Sequence, residues 1–335
     1  MTAPGLRLGT RGSQLALWQA NTVAARIAAA GGPPCHIVVI KTDGDRLQER
    51  PLSEIGGKGL FVKEIEDALL GGAIDLAVHS SKDMAAVLPD GLAIAGVLPR
   101  ENPLDAVVLP LRDPGSGRRA DEALGRASAV SSIGELTAVL GNSPSIGTGS
   151  VRRTAQLARL FPGATFAGIR GNLDTRLRKL DEGAHDALVL AAAGLNRLGF
   201  GARISLLVPA DACVPAPGQG IVAIEIRNGD ARVAQAVAAI NDAAAFDALT
   251  AERAVVATLG GGCQTPLGAL ASVVDGDRLH LVAVVAALDG SRVVRGEDQS
   301  TRHDAAALGA RVGRQLIADG AAAILAAAAP TERQR

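Results

Sequence analysis

Arginine collects where the strands of this chain are expected to end. Arg11 follows the first apolar run, Arg152 and Arg153 follow a Gly-Thr-Gly-Ser turn that opens a helix, Arg170 comes directly after another run, and Arg176 lies in the next helix. In an open α/β sheet the carboxyl ends of the strands face the ligand crevice. A guanidinium fork grips a carboxylate with two parallel hydrogen bonds, and helix N-termini near Ser13 and Ser150 add backbone N–H donors. The placement suits a cleft for a small molecule that carries several carboxylates.

His79-Ser80-Ser81-Lys82-Asp83 follows the apolar run 74–78, again at a carboxyl edge. An Asp beside a Lys in a loop is ordinarily solvated charge, so the pair alone assigns nothing. Cys263 follows three glycines, on backbone free of side-chain bulk, where a thiol has room for a large covalent adduct; a small buried hydrophobe is the plain alternative. Two glycine loops fail as phosphate cradles. Gly56-Gly57-Lys58-Gly59 has Leu52 where a phosphate loop needs its first glycine and Gly59 where it needs Ser or Thr, and Gly147-Thr148-Gly149 lacks the third glycine of a dinucleotide fingerprint. His36, His79, His185, His280 and His303 form no i, i+3 or i, i+4 pair, so no metal is expected.

Positioning such residues takes strands alternating with helices. Residues 6–8 read as a strand and Ser13 as an N-cap, and Leu15, Trp18, Thr22, Ala25 and Ala29 keep helical spacing until Gly31-Gly32. Runs at 36–41, 74–78 and 92–98 read as strands, with a helix marked by Phe61, Ile65 and Leu69. Beyond Pro99-Arg100-Glu101-Asn102-Pro103, a crossover, the pattern restarts, with strands at 164–169 and 187–191 and helices near Ser150 and at 173–180. Residues 113–134, rich in Gly, Ser and Arg, read as a surface excursion longer than the usual connection. The segment 209–220 is a second crossover, after which 221–226 is a strand able to return to the first sheet. Helices from Ala231 and over 246–259 follow, then strands at 268–274, 278–287 and 292–296, and one long closing helix. The expected class is α/β, two lobes with mostly parallel sheets plus a smaller α+β C-terminal domain. The expected boundaries are 1–99 with 218–238 for domain 1, 100–217 for domain 2 and 239–335 for domain 3.

Composition removes several other functions. The 335 residues are 48% hydrophobic and 20% charged, which supports buried cores and excludes disorder as the main state. Lysine plus arginine equals aspartate plus glutamate at 34 each, so no diffuse positive field favours nucleic acid or an anionic membrane. Among the basic residues only Lys41, Lys58, Lys63, Lys82 and Lys179 are lysine; a GC-rich coding bias is the plain explanation for arginine at exposed positions. Cys35, Cys213 and Cys263 are odd in number and far apart, giving neither a disulfide framework nor a zinc site. Residues 1–14 hold no apolar run of signal-peptide type, and 321–329 is too short to span a bilayer, so a cytoplasmic monomer is expected.

The motifs together are more specific than any one of them. The runs 7–13 and 15–19, Gly56 to Phe61, His79 to Asp83, Gly147 to Arg153, Arg170-Gly171-Asn172 and Gly261-Gly262-Cys263 resemble, in order, the porphobilinogen deaminase (hydroxymethylbilane synthase) family. The resemblance covers residues 7 to about 268 and implies two lobes like type II periplasmic binding proteins, with the active cleft between them. It also implies a dipyrromethane cofactor held by a thioether to Cys263, onto which four porphobilinogen units are added before hydrolysis releases the linear tetrapyrrole. The carboxylates of such a chain account for Arg11, Arg152, Arg153, Arg170 and Arg176. By the same residue-by-residue comparison Gln19 and Arg197 contact incoming substrate, and Ser13, Lys58, Ser80, Lys82, Thr148, Ser150 and Gln219 line the site. Asp83 is the expected catalytic acid: one carboxylate must help ammonia leave, stabilise the resulting cation and help remove the α-proton after ring attack.

Some positions depart from the family pattern. Gly12 stands beside Arg11 in place of a larger polar residue, Ser81 in place of a methionine, Met84-Ala85 where a proline is common, and Asp174 where a small neutral residue is usual. Asp174 either weakens the grip of Arg170 and Arg176 or points outward. Two rival functions are a catalytically silent solute-binding module on the same fold and a hydrolase using Cys263 as nucleophile. A pure binder needs neither Asp83 nor Cys263, and a hydrolase needs a base against the thiol.

Overall fold

The computed structural model describes residues 5–42, 62–111, 130–262 and 265–329. The first sheet has the order β2-β1-β3-β10-β4, from β1 (Leu6–Thr10), β2 (Cys35–Val39), β3 (Leu76–Ser80), β10 (Val222–Arg227) and β4 (Leu92–Val97). β1 pairs in parallel with β2 and β3, while β10 runs antiparallel between β3 and β4. Four of the five strands therefore point one way, and the returning strand is the exception. Helix α1 (Gln14–Ala29) starts at Ser13, whose Oγ accepts from the Ala16 N–H at 3.3 Å, and packs Ala20, Val23 and Ile27 onto Leu6, Leu8, Leu76 and Ile224. Helix α2 (Lys63–Leu70) covers the opposite face through Ile65 and Leu69 against Ile74 and Ala77.

The second sheet repeats the plan with the order β7-β6-β8-β5-β9, from β5 (Asp105–Val108), β6 (Ser145–Gly147), β7 (Thr165–Ala167), β8 (Ala187–Ala191) and β9 (Leu206–Val208). Here β5, the strand directly after the first crossover, runs antiparallel between β8 and β9, as β10 does after the second crossover. Helices α3 (Ile133–Leu140), α4 (Val151–Leu157), α5 (Leu173–Asp181) and α6 (Ala192–Arg197) belong to this lobe, and α3 and α4 are capped by Ser132 and Ser150. Each sheet is thus a parallel trio, one reversed strand and a fifth strand that runs with the trio, in keeping with the two like lobes expected from the sequence.

Helix α7 (Ala231–Ala238) backs the first lobe, and α8 (Ala243–Leu259) opens the α+β third domain. That domain holds the antiparallel sheet β11 (Leu267–Asp275), β12 (Arg278–Ala286) and β13 (Val293–Thr301) against α8, α9 (Ala305–Ala318) and α10 (Ala321–Ala328). Glu252, fully buried on α8, accepts from Arg100 of the first crossover at 2.6 Å, from the Gly218 N–H of the second at 2.6 Å and from the Ala271 N–H of β11 at 2.8 Å. One carboxylate thereby ties both crossovers to the third domain.

Several sequence expectations shift. The single closing helix is two, broken at Gly320, whose φ of +97° is a conformation β-carbon-bearing residues avoid. β3 lies two residues later than the apolar run, because β10 pairs with it as far as Ser80, so His79 and Ser80 are strand residues. β13 runs on through a polar stretch because one face of that strand is open. Helix α3 begins at Ile133, inside the expected excursion, and Val130 is buried in the second core; 112–129 lie outside the described residues. Among the described residues no helix is long and apolar enough to cross a membrane.

Candidate active site

Ser81–Asp83 is a single 3₁₀ turn at the end of β3. Its anchors are backbone and apolar: the Ser81 N–H donates to the Ile221 carbonyl at 3.0 Å, and Met84 packs with Val62, Ala223, Ala245 and Leu249. Ser81 sits against Gly218, where an added Cβ would meet its Oγ at 2.6 Å, so a small residue at 81 matches the close approach of the second crossover. Arg253 on α8 donates to the Ala86 carbonyl at 2.8 Å. The turn that carries Asp83 is thus fastened to α8, the helix that ends at Gly260 (φ +67°) immediately before Gly261, Gly262 and Cys263. Cys263 lies outside the described residues, as does Lys58; on either side, the Thr265 hydroxyl donates to the Gly262 carbonyl at 2.6 Å.

Asp83 opens into a cavity of the first lobe that Arg11, Ser13, Gln19, His79 and Ser80 also line. Gln19 is buried and donates to Ser80 Oγ at 2.8 Å, which fixes both polar ends toward one another. Behind them His79 Nε2 meets Glu225 Oε2 at 3.1 Å, both side chains almost wholly buried. From the second lobe Arg176 donates to the Gly171 carbonyl at 2.8 Å. Burial, with Arg153 and Arg170 adding to it, lowers its pKa, and Asp83 opposes the shift from the other lobe. Arg197 on α6 lies 5.5 Å from the Trp18 ring centroid and donates to the Gly220 carbonyl at 2.7 Å, joining the lobes beside the second crossover. Thr148 is buried, and its Oγ1 accepts from the Ser150 N–H at 3.4 Å at the start of α4.

Arg152 and Arg153 are placed differently from the sequence expectation. Both are buried on Asp105, the first residue of β5. Arg152 donates to its two carboxylate oxygens at 2.6 and 3.0 Å and to the Val214 carbonyl at 2.8 Å; Arg153 donates through Nε at 2.9 Å and to the Val189 carbonyl at 3.0 Å. Gln219 Nε2 adds bonds to Asp105 at 2.9 Å and to the Pro103 carbonyl at 2.7 Å. Two guanidinium groups in a dry site require an anion, and a protein carboxylate supplies it. Arg152 and Gln219 therefore belong to the base of the second lobe at its crossovers, while Arg153 stands between that base and Arg176. Asp174 is exposed, which decides the alternative left open above.

The Arg152 and Arg153 guanidinium groups hold the Asp105 carboxyl far below the usual carboxylate range against its burial. Asp105→Asn is expected to destabilise the fold by about 3 to 5 kcal/mol, measured by denaturant unfolding, because two buried cations lose their counter-charge. A depressed native pKa stabilises above the ordinary carboxylate value of about 3.9 and the gain is lost as pH falls below it, so the gap between wild type and variant should narrow in acid. No signal in the sequence marks Asp105, Glu225 or Glu252; each reads as one polar residue in or beside an apolar run.

The donor set suits a polycarboxylate. With Arg153 paired to Asp105, Arg11, Lys82, Arg170 and Arg176 still outnumber Asp83 around the cleft, and among the described residues no cluster of His, Cys, Asp and Glu is placed to hold a metal. Comparison with known proteins agrees with this chemistry. Residues 6–235 match the family model described as "Porphobilinogen deaminase, dipyromethane cofactor binding domain", and residues 246–318 the model of the porphobilinogen deaminase C-terminal domain. A porphobilinogen deaminase of Bordetella parapertussis is 47% identical over 97% of this chain and 97% of its own length. One of Syntrophobacter fumaroxidans is 43% identical over 97% and 98%. A solved structure of the BenM effector binding domain with benzoate covers 74% of this chain and 96% of its own at 13% identity, with a TM-score of 0.42. By sequence over nearly its whole length, the chain belongs to the porphobilinogen deaminase family.

Proposed function

We propose that the chain is a transferase of tetrapyrrole biosynthesis, which deaminates four porphobilinogen units in turn, joins them to a dipyrromethane on Cys263 and releases hydroxymethylbilane by hydrolysis. A bound dipyrromethane would supply the free pyrrole carbon to which the first unit is joined, each later unit joining the ring added before it. The observation that carries the proposal is that the turn bearing Asp83 faces a cavity lined by Arg11, Ser13, Gln19 and Ser80 and is pinned to the helix that leads into Cys263.

In this reading the protein binds, orients and moves protons. Arg11 from the first lobe and Arg170 and Arg176 from the second grip acetate and propionate arms, while Arg153 stays on Asp105 behind them. Ser13, Gln19, Ser80, Thr148, Ser150 and Lys58 line the binding surface, and Arg197, over Trp18, meets the incoming unit. Asp83 assists the aminomethyl group to leave as ammonia, faces the cation left behind, and receives the proton from the ring carbon that forms the new bond. That proton equals the one the ammonia carries off as ammonium, so the acid returns to its starting state. Arg152, Arg153 and Gln219 act by holding Asp105 at the base of the second lobe.

The domains are proposed as 1–99 with 218–238, 100–217 and 239–335, a division supported by the separate sheets and by the two crossovers that meet at Glu252. A monomer working in the cytoplasm is the proposed setting, without nucleic acid or membrane as partner, since equal numbers of acidic and basic residues give no diffuse positive field for a polyanion. Intact mass of the purified chain tests the proposal. An increment matching two linked pyrroles is expected, and a chain that stays at its bare mass after incubation with porphobilinogen would overturn it.

A further inference from the structure

Trp18 is the chain's only tryptophan, and there is no tyrosine. It stays 38% exposed on α1, next to Gln19 and one turn after Leu15, both of which line the cavity of Asp83. Residues three apart share a helix face. On α6 of the second lobe Gly194 and Arg197 are also three apart, and the two pairs meet in register. A Cβ at Gly194 would lie 3.9 Å from Leu15 Cδ2, and the Arg197 guanidinium carbon lies 5.5 Å from the Trp18 ring centroid. The guanidinium is thus held from two sides, by a first-lobe ring and by the Gly220 carbonyl at 2.7 Å, and among the described residues it donates through Nη2 alone. Glu101 attracts this charge, but its Oε1 accepts from the Asn102 N–H at 2.8 Å and from Asn196 Nδ2 at 3.0 Å, and the two side chains form no ion pair.

An aromatic face attracts a guanidinium without taking any of its N–H donors. A carboxylate does the reverse: Asp105 holds Arg152 and Arg153 through the same bonds that a ligand would need. Arg197 is therefore fixed in place while Nε and Nη1 stay available to a carboxylate from outside the protein. We propose that Trp18 is a positioning residue for the incoming porphobilinogen: its ring orients Arg197 toward the substrate carboxylate, and because ring and guanidinium come from different lobes, the seat is complete only while α1 rests on α6. Capture of each new unit is thereby coupled to the approach of the two lobes. The role depends on the proposed function, in which Arg197 meets the incoming unit, and adds to it the group that aims that arginine.

Steady-state kinetics of the full-length chain provide the test. Trp18→Leu, which keeps apolar bulk but no ring face, is expected to raise KM for porphobilinogen about two- to fivefold, the strength of a cation–π contact at an exposed site. The value of kcat should hold, because binding lost equally from bound substrate and transition state appears in KM. Trp18→Phe, which keeps a ring face, should raise KM less. In an Arg197→Gln background Trp18→Leu should change nothing further, since the guanidinium it orients is gone. An unmoved KM in Trp18→Leu, a fall in kcat alone, equal KM values for the Phe and Leu variants, or independent effects of Trp18→Leu and Arg197→Gln would each overturn the proposal. Emission from Trp18, free of any other tryptophan or of tyrosine, gives a measure that needs no turnover. Arg197→Gln should make it more readily quenched by acrylamide, because the cation no longer covers the ring, and quenching equal to wild type counts against the role. A wild-type chain that gains no pyrrole adduct by mass removes the proposed function and this role with it, whereas an unmoved KM in an active Trp18→Leu protein removes the role alone.

Discussion

Asp83→Asn is expected to fold normally and to lose about 10²- to 10⁴-fold in turnover, the range spanned by one positioned acid–base group. Asparagine keeps the outline of the carboxylate but neither ionises nor carries a proton. The fold should tolerate it because the turn is held by the Ser81 N–H, by Met84 in its apolar cluster and by the bond from Arg253 to Ala86. Ammonia release gives the rate, and thermal unfolding gives the stability, which should match wild type. Turnover close to wild type in a folded Asp83→Asn protein would remove Asp83 from the mechanism.

Cys263→Ser should abolish adduct and turnover together. A hydroxyl is a far weaker nucleophile than a thiolate, and the other cysteines are poorly placed to substitute. Cys213 is buried between Arg152 and Asp105, donating to Asp105 at 3.4 Å, and burial pushes its thiol up to about 12. Cys35 belongs to β2, an edge strand of the first sheet, and burial raises its thiol pKa as well. Intact mass and peptide mapping decide the matter: a stable dipyrrole on any residue other than 263 would overturn the assignment.

Local patterns made most elements readable. Ser13, Ser150 and the glycines after α1 and α8 announce helix ends because capping acts over three or four residues, and the run 187–191 is a strand with the bounds its apolar residues suggest. β5 and β9 were hidden because each is short: β5 becomes a strand only by pairing with β8 and β9, and β9 only by pairing with β5. The site divides in the same way. Arg11, Ser80 and Asp83 follow from strand ends and share a cavity. Arg152 follows from the same rule, yet its partner Asp105 is 47 positions away, and His79 meets Glu225 from 146 positions away. A sequence rule that places a cation at a sheet edge says nothing of which anion, protein or ligand, it will face.

β10 has a consequence for how the molecule is made. The strand that fills the gap between β3 and β4 leaves the ribosome only after the entire second lobe, so a nascent chain long enough to complete that lobe still has an unfinished first sheet. Until Val222 to Arg227 emerges, β3 and β4 each expose a bare edge with nothing between them, a state open to aberrant pairing. The second lobe is therefore the part suited to mature first during translation, and the half of the cleft that bears Asp83 closes last.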